Sequence, residues 1–292
     1  MRLHSATLYA LNIPFSQSVA HSAKVRTFCD SVVVRVQSES GAVGYGEGTP
    51  RPYVSGETVS TVLAQLSLDL WPTVCRQSHG LASVSTADLP QAVDDILVEG
   101  DRDDGVIAHN AARAALEVAL LDCTLRERSQ SFGDLMPACR DSVTYSGIIP
   151  EASLEASIAL AQRQLGIGLD RIKIKVGGAH DVALVRQMRD TFGADVSLYV
   201  DANCAWAFDD AVRQIELLAP LGIVHVEQPM PRGPIEDLAR LRAEVSVPIM
   251  VDESLVTLED AQALIDAQAC DIFNIRISKC GGIYRSLQLA QM

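Results

Sequence analysis

The sequence predicts an α/β protein in which an α+β domain, residues 1–135, precedes a (β/α) TIM-type barrel domain, residues 136–292, truncated after about six units. Three observations predict it. Lys175, Asp201, Glu227, Asp252 and Arg276 recur at steps of 26, 26, 25 and 24 residues, the length of one strand–loop–helix–loop unit. Each closes a short β-like run, at 171–175, 197–201, 223–227, 248–252 and 271–276. Helical patterns fill the gaps at 182–192, 209–218, 235–244 and 258–267. Charges from five successive strand ends converge only if a parallel sheet curls, and a barrel carries its chemistry on that rim.

The first domain is not built from the repeat. It opens on a strand at 3–13 and continues with a hairpin pair, 30–36 and 42–46, around Glu39-Ser40-Gly41. Helices follow at 57–70 and, more strongly, at 109–126, where Ala, Leu and Val recur at i, i+3 and i+4. Two loops lie between the strands, 16–26 and 49–56; Pro50, Pro52 and Gly56 make the second a defined turn. From residue 143 the rhythm becomes strict alternation, starting with a strand at 143–147 and a helix at 154–165. A closed barrel of eight units needs about 250 residues. Only six strands can be counted between residue 143 and Met292, and the last stretch falls inside a sixth helix, so a truncated chain is expected.

Bulk properties exclude several classes. With 48% hydrophobic and 21% charged residues the chain is an ordinary globular protein, and a net charge of −13 without a basic stripe argues against nucleic acid. No apolar run reaches the length of a membrane span, so no membrane partner is expected. The start, Met1-Arg2-Leu3-His4-Ser5, lacks a signal-peptide core. Seven cysteines, an odd number with no Cys-x-x-Cys, read as reduced thiols, which makes a cytoplasmic location the expectation.

Period-two alternation sends Lys173 and Lys175 to one face of their strand, and sets Tyr199, His225, Met250 and Asn274 one layer below the strand-end charges. Asp201, Glu227 and Asp252 then face one another at the mouth. Unneutralised, each pair would repel by about 4 kcal/mol at roughly 4 Å and an effective dielectric of about 20. A divalent cation removes that penalty, and an all-oxygen donor set suits Mg²⁺ better than zinc. The alternative is that each acid caps its following helix. A lysine beside a second cation and a metal has its charged form disfavoured, which suits a general base; the alternative is a lysine-protected edge strand. Glu253 is expected either to point away or to support the Asp252 ligand from behind. His225 reads as a hydrogen-bonded core histidine. Gly177-Gly178 lacks the spacing of a nucleotide fingerprint, and Gly281-Gly282 reads as a tight turn.

At these residues the chain resembles the enolase superfamily and, within it, the muconate-lactonizing subgroup. The likeness is carried by Gly44-Tyr45-Gly46-Glu47, the Ala-rich helix at 111–122, Lys173-x-Lys175, Asp201-x-Asn203, Glu227-Gln228-Pro229, Asp252-Glu253-Ser254 and Lys279-Cys280-Gly281-Gly282. The resemblance makes the first domain a capping domain. It implies Mg²⁺ on Asp201, Glu227 and Asp252, with Asn203 and Glu253 behind them. A small carboxylate substrate chelates the metal, Lys175 moves its α-proton, and the cation holds the resulting enediolate. Loops 16–26 and 49–56 are expected to close over the mouth, with Arg51 and Tyr53 as substrate contacts. A homo-oligomer is possible, as is common in such folds.

One departure concerns chemistry. Most of this subgroup carries a second lysine facing Lys175 from the sixth barrel strand, and counted from Asp252 that position is Arg276. Arginine stabilises an anion but is a poor base. Lys279, three residues on, is expected to project to the opposite face and to replace it only if the strand bulges. A one-base isomerase or lyase, a cycloisomerase or dehydratase of a small carboxylic acid, is therefore expected. The alternatives are an acyl-amino-acid or dipeptide epimerase and a catalytically silent truncated homologue.

Overall fold

The computed structural model describes residues 2–21, 24–97 and 105–292; for 16–21, 24–26 and 79 the backbone alone is described. Three antiparallel strands, β1 (Leu3–His21), β2 (Lys24–Ser38) and β3 (Val43–Gly48), form the first sheet in that order. The predicted loop at 16–26 is mostly strand: β1 and β2 pair as far as Pro14 and Phe28, break register, and pair again from Val19 with Arg26 to His21 with Lys24, and residues 22–23 lie outside the described residues. Val32, Val34 and Val36 alternate inward and are fully buried.

The helices on that face are α1 (Val59–Gln65), α2 (Trp71–Gln77), α3 (Leu89–Ile96), α4 (Asn110–Glu127) and α5 (Phe132–Leu135). A π turn, Leu66–Leu70, joins α1 to α2. Pro72 brings no N–H to the preceding turn, and that turn is where the helix widens. Helix α4 starts on a carboxylate: both oxygens of Glu57 accept from Ala111 N at 3.0 Å, satisfying a donor that the first turn leaves orphaned.

β3 and α4 meet backbone to backbone. Gly44, Gly46 and Gly48 share one face of the strand, and a Cβ on them would stand 2.2 Å from Cys123 N, 2.1 Å from Ala115 O and 2.1 Å from Ala111 O. Opposite them α4 offers Ala111, Ala115 and Ala119. Two strand residues rise about 6.8 Å and four helical residues about 6 Å, so glycines every second residue match alanines every fourth.

The second sheet is parallel throughout, in the order β4 (Gly147–Ile149), β5 (Arg171–Lys175), β6 (Ser197–Asp201), β7 (Val226–Glu227), β8 (Ile249–Val251) and β9 (Ile272–Phe273). The strand expected at 143–147 begins only at Gly147, with Val143 and Tyr145 largely exposed before it. Between and after the strands run α6 (Leu154–Gly166), α7 (Asp181–Phe192), α8 (Phe208–Leu218), α9 (Ile235–Glu244), α10 (Leu258–Asp266) and α11 (Ile283–Gln291). Ile172, Ile174, Leu198, Val200, Val226, Ile249 and Val251 pack in the core they share with the helices, and the charged residues occupy the opposite face. This is the arrangement of a (β/α) barrel with six of its strands and open edges at β4 and β9. No helix among the described residues is long and apolar enough to cross a membrane.

Candidate active site

The parallel register sets the heights of the charges. Lys175 pairs with Asp201 and Asp201 with Glu227, so these three stand level. Glu227 pairs with Met250, which leaves Asp252 two residues nearer the rim, the stagger a curling sheet imposes. The helices that follow are preceded by Ala207, Pro234 and Thr257, so none of the three acids is a helix cap.

Cations bind each carboxylate. Lys173 Nζ lies 2.7 Å from Asp201 Oδ2 and donates to Glu227 Oε1 and Oε2 at 2.8 and 2.7 Å. Lys175 Nζ donates to Asp201 Oδ2 at 2.6 Å and to Asn203 Oδ1. Asp201 Oδ1 accepts from Asn203 N at 2.9 Å, and Asn203 Nδ2 donates to Glu253 Oε1 at 3.2 Å. Glu253 thus meets Asn203, whose own N–H holds Asp201. Asn203, Cys204 and Gln228 all hold positive φ, backbone strain gathered at the strand ends.

Around Asp252 the geometry departs from expectation. β9 ends at Phe273, and the chain turns back, with Cys280 N donating to Arg276 O at 2.8 Å. The turn carries Lys279 into the site instead of to the opposite face. Its Nζ donates to Asp252 O at 2.8 Å, Asp252 Oδ1 at 2.9 Å and Asn274 O at 2.7 Å, which uses all three ammonium hydrogens. Arg276 Nη2 reaches the same Asp252 Oδ1 at 2.7 Å, yet its side chain is 41% exposed against 4% for Lys279. Of the two cations on Asp252, Arg276 is the one open to solvent.

Two residues to which the sequence reading gives no role in the site hold the set in place. Gln228 Oε1 accepts from Asp252 N at 2.9 Å and Ser254 N at 3.1 Å, fixing the turn that follows β8. Asn274 Nδ2 donates to Glu227 Oε1 at 2.8 Å. The Glu-Gln-Pro run and the period-two position of Asn274 were the available signals.

Burial opposes the charge of Lys173, but Asp201 and Glu227 outweigh it and hold the ammonium above the ordinary lysine range. Burial also opposes charge at Asp201, and Lys173 and Lys175 overcome it and keep the carboxyl low. At Glu227 burial and then the charge of Asp201 win, and its pKa rises. Burial, with Asp252 and Asp201, lifts Glu253 to about 7. His225 is pushed down to about 4 by burial and by Lys173 and Arg171, so it is neutral at pH 7. It stacks 4.3 Å from the Tyr199 ring, and its Nε2 has no hydrogen-bond partner, so it is packed rather than hydrogen-bonded there.

Among the described residues no three His, Cys, Asp or Glu side chains converge closely enough to hold an ion. The expected trio divides physically: Asp201 and Glu227 share one ammonium, while the staggered Asp252 turns to Arg276 and Lys279. The donors still fit a hard divalent cation, being oxygen-only and nearly buried. Lys175 also lines a cavity of about 300 Å³ with Glu151, Ser153, Leu154, His180 and Asp181. Arg51 borders a smaller crevice with Arg276 and Lys279, and Arg51 Nη1 donates to Pro50 O at 2.7 Å. Tyr53 lies near enough to Arg276 to bear on its charge.

Residues 8–137 match the N-terminal domain of mandelate racemase/muconate lactonizing enzyme, and residues 156–292 match the enolase C-terminal domain-like family. A hydrophobic dipeptide epimerase of Enterococcus faecalis is 29% identical over 294 residues, covering 100% of this chain and 79% of the relative. A dipeptide epimerase of Cytophaga hutchinsonii, solved with Mg and D-Ala-L-Val, superposes with a TM-score of 0.84 at 26% identity, over 100% of this chain and 76% of that one. A 2-chloromuconate cycloisomerase of Rhodococcus opacus gives 0.85 at 28% identity, over 100% and 77%.

Proposed function

The chain belongs to the mandelate racemase/muconate lactonizing branch of the enolase superfamily, and from that premise we propose that it moves the proton α to the carboxylate of a dipeptide or N-acylated amino acid, inverting that carbon. The observation that carries this reading is Lys175, poised 2.6 Å from Asp201 and lining a cavity. Two of the relatives described above are dipeptide epimerases, which supports this substrate class over a muconate. Asp201, Glu227 and Asp252 are the residues to hold Mg²⁺, which supplies positive charge against the charge that develops on the substrate carboxylate.

The chain's own groups divide the proton work. Lys175, as the free amine, takes the α-hydrogen: the C–H bond breaks, its electron pair moves toward the carboxylate, and an N–H bond forms. Lys173 stays protonated between Asp201 and Glu227 and keeps positive charge beside the reacting carbon. On the other face Arg276 keeps its proton at neutral pH and holds the developing negative charge, while a water on that side gives its proton to carbon and the hydroxide left behind takes the proton that Lys175 gained. The two faces are chemically unequal, so exchange of the α-hydrogen with solvent runs faster from the epimer whose hydrogen faces Lys175. Incubation of L,L-dipeptides and N-succinyl amino acids with Mg²⁺, followed by proton NMR, should reveal a second diastereomer or the opposite enantiomer. If every substrate returns with its configuration intact, the epimerase reading fails.

Arg276 favours a second reading. A single mobile base is enough for cycloisomerisation or β-elimination, and the cycloisomerase likeness agrees with it. Lactone formation from a muconate, without inversion of any dipeptide, would select it.

A further inference from the structure

We propose that Asn110, the first residue of α4, is a positioning residue that reaches the reacting centre through Lys279. The inference rests on the reading above, in which Asp252 is a metal ligand and Arg276 faces the substrate. Asn110 is 1% exposed, and its Nδ2 donates to Val256 O at 2.7 Å and to Lys279 O at 2.6 Å. These carbonyls belong to consecutive rim loops: one follows β8 and begins with Asp252, the other follows β9 and carries Arg276 and Lys279. Lys279 Nζ in turn holds Asp252 O and Oδ1 at 2.8 and 2.9 Å. The ring closes on itself, from Asn110 through the Val256 loop to Asp252, across to Lys279, and back.

The Lys279-Cys280-Gly281-Gly282 segment is shaped to receive α4. Gly281 has φ +85, and a Cβ there would stand 2.7 Å from Asn110 Oδ1; at Gly282, φ +119, it would stand 2.1 Å from Glu117 Oε2. Thr49 N adds a bond to Ser278 Oγ at 2.8 Å. Residue type follows from the task. A primary amide places two hydrogens on one nitrogen, so one side chain can bind two carbonyls; a carboxylate of the same shape donates none. Without Asn110 the two loops keep only the Lys279–Asp252 link, and the ammonium that orients the Asp252 carboxylate loses its fixed base. The turn expected at Gly281-Gly282 is therefore a seat for the first domain on the catalytic rim.

Asn110→Ala, Asn110→Ser, Lys279→Met and the Asn110→Ala/Lys279→Met double variant test this in the full chain. The readouts are Mg²⁺ affinity by calorimetry and deuterium uptake at the α-carbon of a dipeptide. Asn110→Ala should weaken Mg²⁺ binding and slow uptake roughly 10- to 100-fold, with partial recovery in Asn110→Ser, which keeps one donor. Because the effect passes through Lys279, adding Asn110→Ala to Lys279→Met should cost less than about twofold more. Wild-type affinity and uptake in Asn110→Ala would overturn the proposal, as would losses that multiply in the double variant. Should Asn110→Ala not fold, Asn110→Ser with and without Lys279→Met decides by the same rule. A wild type that binds Mg²⁺ but exchanges no α-hydrogen defeats the substrate reading alone, and the Mg²⁺ affinities still judge Asn110.

Discussion

Glu117→Gln should change how stability depends on pH. Glu117 is buried in α4, where its Oε1 accepts from Tyr284 N at 2.9 Å and its Oε2 from Ile283 N, the first turn of α11. Burial lifts its carboxyl from 4.5 to about 7, against the pull of those two N–H groups and of Arg113. Between those pH values the native state keeps a proton that the unfolded chain has released. Stability therefore falls as pH rises through the window, by about 3 kcal/mol once both states are ionised. Glutamine does not titrate. At pH 4 the variant should be less stable than wild type by about 1–3 kcal/mol, because one buried N–H loses its acceptor. By pH 8 the difference should have moved about 3 kcal/mol in the variant's favour. Urea denaturation of both proteins across pH 4–8 measures this, and other acids cancel in the difference. A difference that stays constant, or moves the other way, would refute the reasoning.

Gly46→Ala pushes a Cβ to 2.1 Å from Ala115 O and 2.6 Å from Ala119 N, both backbone atoms, and should cost about 3 kcal/mol. Gly80→Ala, which meets nothing within 4 Å, should leave the thermal midpoint unchanged. Lys173→Met leaves Asp201 and Glu227 without their shared ammonium and should destabilise the Mg²⁺-free protein by about 3–5 kcal/mol, a loss that added Mg²⁺ partly restores in a melting experiment. Arg276→Lys supplies a group that can release its proton, so deuterium should then enter both epimers at comparable rates, as NMR would show.

The strand-end charges were legible because a parallel repeat writes itself at near-constant spacing: β5 and β6 start and stop where the alternation does, and Lys173 and Lys175 do share a face. Height was not legible. Asp252 stands two residues off level with Glu227 because the sheet is staggered, and that follows from pairing between strands, not from spacing along the chain. Lys279 was misplaced for a related reason. Its direction depends on where β9 stops, and a strand of only two residues leaves no alternation to extrapolate. The β3–α4 contact was present in the sequence as glycines every second residue and alanines every fourth, but each pattern alone reads as weak strand or ordinary helix. Glu57 as the opening acceptor of α4, and Asn110 as a tie between rim loops, depend on contacts 54 to 169 residues apart. No local pattern reports those.

Deuterium uptake at the α-carbon of a dipeptide in D₂O with Mg²⁺, compared between wild type and Lys175→Ala, bears most directly on the central claim. Uptake by the wild type and none above background in the variant is the predicted result. Undiminished uptake in Lys175→Ala would contradict it and assign the base elsewhere.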